Sequence, residues 1–152
     1  MLPYLKECSE LLRKKKLRIA AAESCTGGLI AKLITDLAGA SDILETSLIA
    51  YSNRIKEEKL KVPHEIIAEF TEVSKECAEY MAKGVKAFSS AEIGVSTTGY
   101  AGPTGKEVGL VYICVDTPEK VVSKELRLTG NREEIREKAA EKVFETLYGI
   151  LK

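Results

Sequence analysis

"LRIAAAESCTGGLIAKLITDLAG", residues 17–39, decides how the chain is read. Its first third is a short run of Ile and Ala between charged residues, which suits a strand buried on both faces. Its last third places Leu29, Ile30, Leu33, Ile34 and Leu37 at helical spacing and closes at Gly39. Between them lies Glu23-Ser24-Cys25-Thr26-Gly27-Gly28, a junction richer in polar and nucleophilic side chains than a plain turn needs. A strand feeding a helix through a tight Gly turn is the unit of an α/β sheet.

Working outward, "PYLKECSELLRKKK" puts Leu5, Cys8, Leu11 and Leu12 on one helical face. "LETSLIAYS" reads as a second strand, and residues 54–70 as helical with Pro63 at a helix start. "SKECAEYMAKGVKAF" is a helix capped by Ser74, and "EIGVSTTG" is a third strand followed by the Gly/Pro loop "YAGPTGKE". "GLVYICVD" and "KVVSKELRL" flank "TPEK" as a hairpin. "NREEIREKAAEKVFETLYGIL" closes the chain as a helix with Ile135, Ala139, Val143 and Leu147 in register. The expected architecture is a single three-layer α/β/α sandwich over residues 1–152, with a mixed, mostly parallel sheet.

Bulk properties narrow the function. Lys plus Arg is 23 and Asp plus Glu is 23, so the formal net charge is zero. No electrostatic basis exists for nucleic acid or an anionic membrane as partner. The four cysteines, Cys8, Cys25, Cys77 and Cys114, form no CxxC pair, and His64 is the only histidine, so no metal site is expected. The first sixteen residues are charged throughout and do not read as a signal peptide, which makes a reduced, cytoplasmic protein the expectation.

Ser24 follows a strand and precedes a helix, as a hydrolase nucleophile does. The first N–H groups of that helix lack internal partners and suit an anion or a developing oxyanion. The plainer reading makes Ser24 or Thr26 an N-cap. Cys25 is a rival nucleophile, because a helix start lowers a thiol pKa, but cysteine is also a small core residue. A serine needs a base. His64 sits beside a charged helix start and reads as a surface residue. Lys56 lies five residues after Tyr51, just past an apolar strand, and burial would make it a neutral base. Tyr51 and Asn53 stand at the end of that strand, where α/β sites form. "STTGYAGPTGKEVG" fails the spacing of a nucleoside-triphosphate loop, although its glycines could still turn N–H groups toward a phosphate.

"AESCTGG", "AYSNRIK" and "TGYAGP", in this order and at these separations, resemble the CinA C-terminal domain family, also called PncC. The resemblance runs from about Leu5 to the closing helix, with looser matches at "VGLVYICV" and "GNREEIR". It implies a stand-alone nicotinamide mononucleotide amidohydrolase, a C–N hydrolase of pyridine-nucleotide recycling that needs no cofactor. The product pair is nicotinate mononucleotide and ammonia. It also implies Ser24 as nucleophile with Tyr51 and Lys56 as partners. The nucleotide is then expected beside Thr26, Gly27, Gly28, Asn53, Thr98, Gly99 and Gly102, with Arg132 and Arg136 as phosphate partners. A homo-oligomer is allowed. The loop after Pro103 is shorter than the family's, and Tyr100 replaces a small aliphatic residue. A non-catalytic nucleotide-binding or regulatory domain, and an amidase for another small carboxamide, are the alternatives.

Overall fold

The computed structural model describes residues 2–152. In chain order the elements are α1 (Leu5–Lys15), β1 (Ile19–Glu23), α2 (Leu29–Thr35), a 3-10 turn (Ala40–Asp42), β2 (Leu44–Ile49), α3 (Asn53–Leu60), α4 (His64–Phe70), α5 (Lys75–Ser89), β3 (Ile93–Gly99), β4 (Leu110–Asp116), β5 (Val121–Arg127) and α6 (Arg132–Leu151). The sheet order is β2-β1-β3-β4-β5. β1 pairs in parallel with β2 and β3, and the hairpin β4–β5 joins β3 antiparallel. Four of the five strands therefore run the same way and only β4 opposes them.

Helices cover both faces. β1 is buried along its whole length and divides its side chains by the strand's period of two. Ile19 and Ala21 enter the larger core with α1, α2 and α6, while Ala20 and Ala22 enter the core beneath α5. Small residues on that second face let helices come close. A Cβ on Gly94 of β3 would lie 2.3 Å from the Ala82 carbonyl of α5, and the Ser96 hydroxyl donates to the Ala78 carbonyl at 2.5 Å. No helix among the described residues is long and apolar enough to cross a membrane.

Two helices differ from the expectation. Residues 54–70 are not one helical stretch: α3 ends where Lys61 turns left-handed at φ 60°, and Pro63, which has no N–H to donate, sits at the N-cap of α4. α2 stops at Thr35 instead of running to Gly39, which takes φ 81° and opens the 3-10 turn. The Ser74 cap is present, its hydroxyl accepting from the Cys77 amide, and Asn131 with Glu134 forms a capping box on α6.

α3 is seated on α5 at Gly84, where an added Cβ would come 2.0 Å from the Leu60 carbonyl. Backbone fills that space and cannot give way as a flexible side chain would. Gly84→Ala is expected to destabilise the fold by about 1–3 kcal/mol, as overpacking does. Urea denaturation of the variant checks this, and unchanged stability would mean that α3 shifts freely on α5.

Candidate active site

The turn after β1 is held by a carboxylate. Glu23 is the last residue of β1 and is 0 % exposed. Its Oε1 accepts from the Thr26 hydroxyl at 2.7 Å, the Gly28 amide at 3.1 Å and the Ile30 amide at 2.9 Å. Its Oε2 accepts from the Ala31 amide at 3.1 Å and the Ser47 hydroxyl at 2.8 Å. Five donors thus stand in for the water that the carboxylate lost. This corrects both readings of the helix start. Neither Ser24 nor Thr26 caps α2; Glu23 does, and the amides of Gly28, Ile30 and Ala31 are not free for an oxyanion.

Ser24 emerges from this frame with its backbone amide bonded to the Thr97 carbonyl at 3.1 Å. Its side chain is nearly buried, at 8 % exposure, and its hydroxyl makes no hydrogen bond among the described residues. It lines a cleft of about 360 Å³ at the carboxyl ends of β1, β2 and β3, together with Cys25, Tyr51, Asn53, Lys56 and Thr98. A crevice outside the carboxyl ends of parallel strands is where open α/β sheets bind ligands.

Lys56 is the unusual member. It is 1 % exposed, the bulkiest fully buried side chain of the fold, and its Nζ donates to the Tyr51 carbonyl at 3.0 Å. No carboxylate among the described residues pairs with it. Burial lowers its pKa from the ordinary 10.5, while Cys77, Glu72 and Cys25 act weakly the other way. Burial also pushes the Cys25 thiol up to about 11, so the expected lowering at a helix start does not occur. A protonated, buried thiol is a poor nucleophile. Cys25 reads as core, and Ser24 stands as the nucleophile candidate.

The other sequence candidates separate into two groups. Asn53, Thr98, Gly99, Gly102 and Arg132 line the cleft with the nucleophile and the lysine. Thr26, Gly27 and Gly28 do not. The Thr26 hydroxyl is 2.8 Å from that of Thr97, and a Cβ on Gly27 or Gly28 would touch Arg136 or Ile49. Their place is in the scaffold of the turn. Arg136 is likewise not free for a phosphate: it donates to the carbonyls of Cys25 at 3.1 Å and Thr26 at 2.8 Å. Arg132 donates to the Gly102 carbonyl and lies 3.5 Å from the Tyr51 hydroxyl. The Tyr51 ring is 63 % exposed, so what Tyr51 gives Lys56 is its backbone oxygen, not its phenol. His64 pairs with Glu57 on the surface and is outside the cleft.

Glu72 enters the cleft without having been singled out, and Tyr100, noted only as a departure in its loop, enters with it. Glu72, between α4 and α5, is brought in by Thr98, whose hydroxyl donates to its carbonyl at 2.6 Å. Tyr100 lines the cleft from the loop after β3, closed at its base by hydrogen bonds between the Tyr100 amide and Leu110 and between Gly109 and the Tyr100 carbonyl. Local sequence spacing carries no sign of Glu72, which is 26 residues from Thr98.

The model of the CinA C-terminal domain matches residues 3–151. The chain belongs to that family. It is 48 % identical over 131 residues to a CinA-like protein of Dictyoglomus thermophilum, covering 84 % of this chain and 32 % of that protein. The chain spans about a third of the length of the curated relatives it matches. Among solved structures, the competence/damage inducible protein CihA of Agrobacterium tumefaciens superposes with a TM-score of 0.92 at 32 % identity, covering 100 % of this chain and 99 % of that one. A CinA superfamily protein of Klebsiella pneumoniae gives a TM-score of 0.94 at 27 % identity, over 97 % of this chain and 95 % of that one. The mixed sheet and its helical layers are thus those of the CinA fold.

Glu23→Ala would strand five donors, those of Thr26 and Ile30 fully buried, and is expected to cost about 3 kcal/mol. Glu23→Gln keeps the shape but aims an amide N–H₂ at donors, and should recover only part of the loss. Chemical denaturation of both variants measures this; a small loss for Glu23→Ala would show that the α2 amides find other acceptors.

Proposed function

We propose that the chain is an amidohydrolase that releases ammonia from the carboxamide of nicotinamide mononucleotide, with Ser24 as nucleophile and Lys56 as base. The observation that carries this reading is Lys56, buried without a carboxylate partner in the cleft that Ser24 lines. An ammonium there has lost its hydration and gained one carbonyl, so burial shifts Lys56 toward the neutral amine. A neutral amine can take the serine proton as Oγ bonds to the carboxamide carbon. The resulting ammonium then returns that proton to the departing nitrogen, and ammonia leaves. Water attacks the acyl-serine ester and gives a proton to Lys56, which returns it to the departing Ser24 Oγ as the acid is released, restoring both groups. The Cys25 amide directly follows the nucleophile and, like the Thr26 amide, donates to no acceptor among the described residues, so it is the oxyanion donor in this reading. Arg132 is the cleft's arginine and suits the phosphate. In this reading Tyr51 positions Lys56 through its carbonyl.

Ser24→Ala should lower kcat for ammonia release by about 10⁴-fold or more, and Cys25→Ala should stay within about tenfold of the parent. The reverse ranking would move the nucleophile to Cys25.

Lys56 gives a second test with two readouts. Ammonia release should rise with pH as Lys56 loses its proton, and Lys56→Arg, which cannot deprotonate, should lose about 10²–10⁴-fold. The sign for stability follows from the same burial. The unfolded chain holds the Lys56 proton up to its ordinary 10.5, while the folded chain releases it earlier, so stability rises with pH between those values. Lys56→Met removes the penalty and should raise Tm by about 2–4 °C near neutral pH, with the gain shrinking toward pH 10.5. A Lys56→Met protein less stable than the parent at pH 7 would mean that the ammonium is well accommodated in the fold.

A further inference from the structure

The cleft holds two charged side chains that neither pair with each other nor take part in the proposed proton transfers. Arg132 donates to the Gly102 carbonyl and lies 3.5 Å from the Tyr51 hydroxyl, which leaves further guanidinium N–H groups for a ligand. Glu72 makes no ion pair among the described residues; its Oε2 is 3.5 Å from the Asn53 side-chain nitrogen, a contact at the limit of a hydrogen bond.

Glu72 is nonetheless firmly placed. α4 ends at Phe70, Thr71 adopts φ 69°, and Ser74 caps α5, so Glu72 sits in a short tight link. The Thr98 hydroxyl holds its carbonyl at 2.6 Å, and the Ser74 hydroxyl holds the preceding Thr71 carbonyl at 2.9 Å. These two bonds fix the backbone of the link, from which the Glu72 side chain lines the cleft. Nor is Glu72 the ion-pair partner of Lys56, whose Nζ bonds to the Tyr51 carbonyl. The Tyr100 ring lines the same cleft, and the negative charges of Glu72 and Glu107 together with burial raise its phenol pKa, which keeps the ring neutral. An aromatic face and an unpaired carboxylate in one concave site are the two features that attract a flat, delocalised cation.

We propose that Glu72 and Tyr100 form a cation-recognising subsite, so that the cleft selects a carboxamide ring carrying positive charge and disfavours the same ring when neutral. The proposal rests on the amidohydrolase reading and adds to it the substrate's charge. With Arg132 as the anion partner, the ligand is dipolar: a cationic aromatic carboxamide joined to an anionic group. The two charges hold the ring end and the anionic end in fixed places, which orients the carboxamide toward Ser24.

The test uses the full chain and two probes that differ only at the ring: nicotinamide mononucleotide, which is cationic there, and its dihydro form, which is neutral. Ammonia release gives KM and kcat for each, and the fluorescence of the dihydropyridine gives an independent binding constant. The parent is expected to favour the cationic form by about tenfold in KM, the size of one partly solvated charge contact with a ring contact. Glu72→Gln should bring the two KM values together by weakening the cationic form alone, with the pH midpoint of kcat unmoved. Glu72→Asp, which keeps the charge, should restore part of the preference. Thermal melts confirm that each variant is folded; if Glu72→Gln does not fold, the parent's preference and Glu72→Asp carry the test. A parent that treats both forms alike, or a Glu72→Gln variant that weakens both equally, overturns the subsite and leaves the amidohydrolase reading standing. A shift of the kcat pH midpoint with both KM values unchanged also overturns it and assigns Glu72 to Lys56. Release of ammonia from neither form by the parent removes the amidohydrolase reading, and the subsite with it.

Discussion

Everything at the candidate site depends on one buried carboxylate. Glu23 ends the central strand, receives five hydrogen bonds, and so fixes the start of α2 and the edge strand β2 to β1 at one point. An ionised group in the interior is tolerable only when its donors are complete, which makes the arrangement all-or-none. The turn residues therefore have one geometry. Arg136 closes the same turn from the far side by binding the carbonyls of Cys25 and Thr26. A serine hydroxyl left without a partner beside so tightly bonded a segment is held in place by the backbone alone.

Lys56 is the counterpart on the other wall. Here the fold withholds partners: burial without a carboxylate favours the neutral amine. The two groups illustrate opposite uses of a dry interior. Glu23 is surrounded by donors and serves structure, whereas Lys56 is left with a single carbonyl and becomes available for proton transfer. Such an arrangement lowers stability where it raises reactivity, the usual relation between the two at functional sites.

What could be read from the sequence followed from local periodicity. The five strands, the hairpin at "TPEK", the Ser74 cap and the long closing helix are all signalled within a few residues of themselves, and all are present. Pro63 signalled the start of α4, whereas the end of α3 was not legible because it turns on Lys61 adopting a left-handed conformation, which a non-glycine residue gives no warning of. Spacing placed Lys56 near Tyr51, but which part of Tyr51 it meets depends on where the chain turns after β2. Glu23 stood in the quoted motif without a role, since a residue before the turn is not where a helix cap is sought. Glu72 and Arg136 act across 26 and 110 or more residues, and only the assembled fold brings them to the site.

The walls of the cleft come from the β1–α2 turn, α3, the α4–α5 link, the loop after β3 and the first turn of α6. That last contribution has a consequence for synthesis. α6 follows β1, β2, β3 and α5 in the chain and is therefore made after them. Until α6 docks, the carbonyls of Cys25 and Thr26 have no guanidinium to receive and Arg132 is missing from the rim. A ribosome-bound or C-terminally shortened chain would thus hold serine and lysine in an unfinished cleft. The walls of the cleft are complete only once α6 is in place.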